Sequence, residues 1–524
     1  RAIKARPHKP FAVMFPNLAA AARYCVISPA EAAALAAGAA PVVMVKKRPG
    51  SALEPAAPGL ASAGIMLPYT PLHAALFAEL ARAGYPGPLI MTSGNFRDEP
   101  IARSVEEVRG RLGRLADFIV YHDREIHNRA DDSVGFVAGG AFRLARRARG
   151  LVPGAVKLAA SLPRGVLACG ADLKNSFCLT RGREAFLSQH IGDLSENGNR
   201  LFYLETLGNM KKLLKAVAGI IAFDLHPDQA ASSIGRALKG RKVAVQHHAA
   251  HILSVAAEHH LDGAFIGLAF DGTGYGTDGK IWGSEFLVFE GNSWRRAARL
   301  KYFPLPGGDA GARELWRPAI ALLRSAFGLG WQKTCVKLFA GIPAAKVATV
   351  GRMLETGVNC PETSSMGRLF DAFSFIAGVR AEATYEAQGP MEMESLFNGK
   401  GPAAGYEFCV EPAGTELLID PAPAVRAAVK DRLAGRGPGF ISGRFHKGVC
   451  AMAVNTAARL ARETGITKVC LSGGVFQNRV VLELVSAGLE RRGLKVFSNI
   501  QVPANDGGVA LGQAWYAIKG YRPE

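Results

Sequence analysis

Short apolar runs alternate with Ala-rich amphipathic stretches through residues 1–150. Residues 10–15 (PFAVMF) and 87–93 (GPLIMTS) read as strands: compact apolar runs bounded by Pro, Gly or Ser. Residues 29–38 and 72–84 carry apolar side chains at helical spacing and read as amphipathic helices. Such alternation predicts an α/β domain with a mixed sheet. Residues 150–165 have Gly and Pro at both ends and are expected to form a linker or domain boundary.

Beyond residue 166 the pattern changes. Residues 166–180 read as strand, glycine turn, strand, and residues 265–290 repeat that order. Two such units in one chain predict a duplicated fold. Residues 310–435 read as helical and irregular, whereas 468–493 and 495–518 return to strand, loop, helix. At 524 residues the chain is too long for one core, so about two to four domains are expected.

Charge and cysteine usage narrow the classes of function. The formal net charge is +19, with 63 Lys and Arg against 44 Asp and Glu. That balance favours anionic partners such as nucleotides, acyl phosphates, RNA or an acidic protein. The densest basic run, RLARRARG at 143–150, has no aromatic between its arginines, so nucleic-acid binding is not expected. The eight cysteines are scattered and form no CxxC pair, which excludes a zinc finger and fits a reducing cytoplasm. No apolar run reaches the roughly 18 residues that a membrane span needs. The first residues lack the apolar core of a signal peptide and read as the interior of a domain, so a fragment is expected.

Three clusters carry chemistry. In VQHHAAHI, His247 and His251 are one helical turn apart and can grip one ion, whereas His248 points away. A lone HxxxH is more often a pair of hydrogen-bonded histidines. Here Asp271 (AFDGTGYG) and Asp506 (PANDGG) stand at strand ends and could complete a metal site open to a phosphate oxygen. The second cluster is glycine: DGTGYGTDG (271–279), SGGVFQN (472–478) and NDGG (505–508) each adjoin an apolar strand. Glycine lets backbone N–H groups approach phosphates, and none of these loops has the Walker spacing. The third lies near the N-terminus. Lys4, Arg6 and Lys9 precede a strand, Thr92, Ser93 and Asn95 follow one, and Arg146, Arg147 and Arg149 close the domain. They make either a polyphosphate pocket or separate surface loops, and Asp131 and Asp132 are expected to salt-bridge the arginines.

Taken together these segments resemble the HypF family of carbamoyltransferases, which mature [NiFe] hydrogenases. KARPHKPFAVM, TSGNFRDEPI, NRADDSV and RRARGLVP are similar to that family's YrdC/Sua5-like domain. DLKNSFCL, DLHPD, VQHHAAH, FDGTGYGTDGKIWGSEF, SSMGRLFDA, SGGVFQN and NDGGVALGQA are similar to its Kae1-like domain, of the actin/Hsp70 class. The resemblance implies an α/β chain with a YrdC-like mixed-sheet domain at 1–155, truncated at its start, and a two-lobed Kae1-like domain at 163–524. It implies that carbamate, derived from carbamoyl phosphate, reacts with ATP to give carbamoyl-adenylate and pyrophosphate. Lys4, Arg6 and Arg149, with Thr92, Ser93 and Asn95, would hold the reactants.

The Kae1-like half would then use a divalent metal, zinc or iron, on His247, His251, Asp271 and Asp506. Gly272, Gly274, Gly473, Gly474 and Asn478, with Lys174 and Asp371, would bind nucleotide, and Mg²⁺ would accompany ATP. The implied acceptor is the C-terminal cysteine of a partner of the HypE type. The family's acylphosphatase-like domain and paired CxxC zinc motifs are absent from this sequence, so release of carbamate from carbamoyl phosphate is not expected of it. Two other readings are O-carbamoylation of a small hydroxylated metabolite and a nucleotide-binding scaffold without chemistry.

Overall fold

The computed structural model describes Lys4 and residues 7–96, 99–399 and 404–524. The chain forms two compact units, Arg1–Val245 with Asn499–Ile518, and Gln246–Ser498 with Lys519–Glu524.

The first unit holds two sheets. One runs in the order Leu89–Met91, Ala12–Met14, Ser62–Met66, Val42–Lys47, Val134–Ala138, Ala141–Arg146, with Cys25–Val26 added on Val42–Lys47. Its pairing is mixed: Ala12–Met14 lies parallel to Ser62–Met66, and Ser62–Met66 antiparallel to Val42–Lys47. The predicted helices appear as Pro29–Ala36 and Pro71–Arg82, each begun by Pro behind a Ser or Thr cap. Val13, Phe15, Val43, Ile65 and Phe136 form the buried layer.

The second sheet of this unit has the order Arg241–Val245, Ala218–Asp224, Gly165–Ala168, Cys178–Arg181, Glu184–Leu187, Ala155–Lys157. Helix Asn197–Leu214 presses Phe202, Tyr203, Leu207 and Met210 onto Leu167, Phe177, Leu179 and Ile221. The stretch expected to be a linker contributes a strand here: Ala155, Val156 and Lys157 pair with Phe186, Ala185 and Glu184. Pro and Gly at its ends marked the turns, and the sheet edge claimed the short apolar centre.

The second unit is built on the order Cys409–Ala413, Glu416–Asp420, Ser293–Leu300, Ile281–Glu290, Phe265–Tyr275, Lys468–Ser472, Lys495–Ser498. Its logic repeats that of the preceding sheet. In each, three consecutive strands form an antiparallel meander, and two later strands add in parallel beside the first of the three. The duplication expected from the pattern is therefore present as topology. Within 310–435 the helices are joined by a hairpin that the sequence reading did not foresee, Cys409–Ala413 with Glu416–Asp420.

Six of the eight cysteines are buried, Cys360 is half-buried and Cys409 is exposed. Burial pushes the Cys169 thiol up to about 11 and Cys178 to about 12, and raises Cys450 and Cys470 further. Among the described residues no helix is long and apolar enough to cross a membrane.

Candidate metal centre and nucleotide loops

Helix His247–Glu258 is buried along its whole length. Gln246 caps it: its side-chain oxygen accepts from Ala249 N at 2.8 Å. The amide nitrogen of Gln246 donates to Tyr275 O at 3.0 Å and to His248 Nδ1 at 3.1 Å. His248 is thereby turned towards the cap and the Trp282 ring, with centroids 6.2 Å apart. His247 and His251 face each other, Nε2 to Nε2, at 3.2 Å. Asp271 Oδ2 lies 3.4 Å from the first and 3.5 Å from the second.

Three ligand atoms within 4.8 Å of one another suit a single cation. Two neutral imidazoles so placed can share only one proton between them, and a carboxylate beside them adds a third acceptor. A cation satisfies all three lone pairs at once. The other Asp271 oxygen accepts from Gly474 N at 2.9 Å, which fixes the carboxylate plane. Burial pushes the Asp271 carboxyl up, but hydrogen bonds from His247 and His251 outweigh it and hold it well below the usual carboxylate range. Asp506 belongs to the other unit, where it opens the single turn Asp506–Gly508.

Gly272 and Gly274 lie inside strand Phe265–Tyr275 rather than in a loop. Pairing with Ile281–Glu290 resumes at Gly274 and Trp282 after a register shift, so the backbone stays extended. A Cβ on Gly274 would stand 2.5 Å from His248 Cε1 and 2.8 Å from His247 Cδ2. The absent side chain at 274 therefore lets the histidine helix approach the strand. Gly473 has φ +101°, and a Cβ there would stand 2.2 Å from Phe270 O. Gly474 begins the turn Gly474–Gln477.

Asn478 caps helix Arg479–Glu490, accepting from Val481 N at 3.1 Å. Its amide nitrogen donates to His446 Nε2 at 3.0 Å, while His446 Nδ1–H donates to Ser442 O at 2.9 Å. Burial brings His446 down to about 4, so the ring is neutral and its tautomer follows from this pairing. Asp371 lies in helix Met366–Ile376, 2.9 Å from Arg368 Nη2; burial raises its carboxyl to about 6 against the pull of that guanidinium.

In the first unit Lys4 Nζ donates to Thr92 Oγ1 at 3.1 Å and to Ser93 O at 2.6 Å, which joins two of the expected segments. Ser93 Oγ and Asn95 Oδ1 are 2.6 Å apart, and Asn95 Nδ2 donates to Glu99 O at 2.7 Å. Arg6 lies outside the described residues. Arg149 spends its fork on Asp132 at 2.8 Å, Ala39 O at 3.2 Å and Ala40 O at 2.7 Å, with its guanidinium 3.4 Å above the Tyr69 ring. Arg146 pairs with Asp131 at 3.3 Å. Lys174 takes φ +47° in the turn before Cys178–Arg181. Two residues on, Ser176 Oγ donates to Gly507 O at 2.8 Å, so this turn adjoins the NDGG turn.

Four contributors escaped the sequence reading. Gln246 and His446 carry no motif signal beyond their neighbours. Ser365 caps helix Met366–Ile376 and donates to Asp271 O at 3.3 Å. The buried Glu285 accepts from Gly283 N at 3.0 Å and from Ser364 Oγ at 2.6 Å. The SSMGRLFDA and WGSE strings were the available signals for the last two.

Comparison with known proteins agrees with both halves. Residues 1–148 match the Sua5/YciO/YrdC family, described as telomere recombination. Residues 161–258 match the HypF Kae1-like domain, and 267–513 match the second subdomain of the carbamoyltransferase Kae1-like domain. Fold and site thus define a YrdC-like domain joined to a Kae1-like one. Carbamoyltransferase HypF of Rhizobium leguminosarum bv. viciae is 41% identical over 98% of this chain and 66% of its own length. Carbamoyltransferase HypF of Rhodobacter capsulatus is 37% identical over 99% of this chain and 68% of its own length. A crystal structure of full-length HypF in a phosphate- and nucleotide-bound form has a TM-score of 0.94 at 38% identity, covering 99% of this chain and 67% of that one. T. kodakarensis HypF gives 0.91 at 31%, over 99% and 69%. The chain belongs to the HypF carbamoyltransferase family, and it spans about two thirds of the length of these relatives.

Proposed function

We propose that the chain is an ATP-dependent carbamoyltransferase with two reaction sites, in a YrdC-like domain at 1–155 and a Kae1-like domain at 163–524. The observation that carries this is the convergence of His247, His251 and Asp271 in a chain whose relatives are named carbamoyltransferases along nearly all of its length. Carbamate is a poor electrophile. Its oxygen attacks the α-phosphorus of ATP, pyrophosphate leaves, and the adenylate then offers a good leaving group. Lys4, Arg6 and Arg149, with Thr92, Ser93 and Asn95, would hold ATP and carbamate, with Mg²⁺ on the phosphates. The Lys4 contacts to Thr92 and Ser93 support grouping these segments.

In the Kae1-like half, His247, His251 and Asp271 would hold zinc or iron, with Asp506 as the fourth candidate ligand. The metal would neutralise charge on the adenylate phosphate. Gly272, Gly274, Gly473, Gly474, Asn478, Lys174 and Asp371 would line the nucleotide's path. An acceptor thiolate attacks the carbamoyl carbon, a C–S bond forms, the C–O bond to phosphate breaks, and AMP departs. The acceptor we favour is the C-terminal cysteine of a HypE-type partner, in the cytoplasm. Serving a hydroxyl on a small metabolite is the alternative.

The test is carbamate-dependent exchange of labelled pyrophosphate into ATP by the folded chain. Absence of exchange overturns the adenylation reading. Carbamoyl transfer to a sugar-like alcohol, with none to a cysteine-tailed protein, selects the alternative.

A further inference from the structure

We propose that Arg129 is a positioning residue that makes the geometry of the adenylation site depend on the first Kae1-like lobe; this rests on the adenylation reading above. Its planar fork is shared among three segments of the first unit. Nε donates to Ile101 O at 2.7 Å, Nη2 to Glu107 Oε1 at 3.2 Å, and Nη1 to Glu205 Oε2 at 3.1 Å. Glu205 is on helix Asn197–Leu214, in the part of the chain matched by the HypF Kae1-like model. The carbonyl of Arg129 accepts from Gln189 Nε2 at 3.2 Å, a second tie to the same lobe. The side chain is 12% exposed and lies against the Phe202 ring, 5.7 Å from its centre.

Both directions along the chain from these contacts lead to the candidate adenylation residues. Ala102, next to Ile101, donates from its N–H to Gly94 O at 2.9 Å, and Glu99 O holds Asn95. The TSGN loop is thus hung on the segment that Arg129 grips. Two residues beyond Arg129, Asp131 O accepts from Arg149 N at 3.0 Å, and Asp132 holds the Arg149 fork. The Arg129 guanidinium therefore joins the segment behind the TSGN loop to the one before Arg149, and Glu205 anchors it while also pairing with Arg103. An exposed ion pair would do little, but a half-buried fork with three acceptors fixes direction as well as distance. Lysine keeps the charge and lacks the fork, which separates the two contributions.

The experiment compares wild type, Arg129→Lys and Glu205→Gln by carbamate-dependent pyrophosphate exchange. Melting temperature and metal content are measured on the same preparations. Glu205→Gln is nearly isosteric and lies outside the YrdC-like domain. We expect the exchange kcat to fall roughly 10-fold in both variants, as misplaced reacting groups do, with melting temperature and metal content unchanged. Exchange equal to wild type in Glu205→Gln overturns the proposal. So does a loss matched by a falling melting temperature in both variants, because that marks a structural brace only. A wild-type chain that fails to exchange overturns the adenylation reading itself, an outcome distinct from either.

Discussion

His247 and His248 are adjacent, yet the structure gives them different work. The first meets His251 and Asp271, whereas the second is held by Gln246. His247→Ala, His251→Ala and Asp271→Asn should each lose most bound metal, while His248→Ala should retain it; metal analysis of the purified variants checks this. Gly274→Ala should cost about 1–3 kcal/mol through overpacking against the two rings and lower metal content too, read by thermal melting beside metal analysis. His446 supplies a pH dependence. Its folded value of about 4 lies below the ordinary 6.5, so the unfolded chain takes up the proton first as pH falls. Stability on the order of 3 kcal/mol is present above pH 6.5 and is lost between there and pH 4. His446→Gln should flatten that part of the unfolding free-energy profile. His247, His251 and Asp271 were legible in the sequence because helical spacing and a strand-end aspartate are local signals. Gln246, His446 and Glu285 were not, since their contacts depend on neighbours that only packing supplies.

At the scale of elements, periodicity located the strands around Val13, Ile90, Leu268 and Leu471 to within a few residues. It misjudged Gly272 and Gly274 as loop residues, because glycine signals a turn wherever backbone pairing is unknown. Gly274 pairs with Trp282 on Ile281–Glu290, and Gly272 lies in the register shift just before it, inside the same strand. Gly473 is the true turn, with its left-handed φ and the Phe270 carbonyl close by. Gly473→Ala should therefore destabilise the second unit by about 1–3 kcal/mol and weaken nucleotide binding, measured by denaturant unfolding and by titration with ADP. The short strand Ala155–Lys157 escaped detection because its partner comes from a sheet edge that no local pattern encodes, whereas the hairpin Cys409–Asp420 pairs locally across Gly414 and Thr415 and was simply not read.

Across the whole molecule, the two strand–turn–strand units that open each copy were visible as a pattern, although the copies share little residue identity; the parallel strands added beside them came only with the structure. A buried layer constrains polarity and period far more than identity, which is why the pattern persisted. Metal bound only by the folded chain should raise its melting temperature. Chelation should lower it by several degrees, and restoring zinc or iron should reverse the change; differential scanning calorimetry with and without chelator decides. The net charge of +19 should speed encounter with an acidic acceptor at low salt, an effect that added salt removes.

The seclusion of the cysteines has a chemical consequence. If the acceptor is the proposed thiolate, the chain's own eight thiols would be its competitors. Six are sealed in the interior, and the exposed Cys409 is kept protonated first of all by its hydrogen bond to Glu411. On the proposed chemistry, few of them could compete as acceptors, and self-carbamoylation should be slow. The same property offers a handle, because a thiol-directed dye added at mildly alkaline pH should settle on Cys409 before any other site.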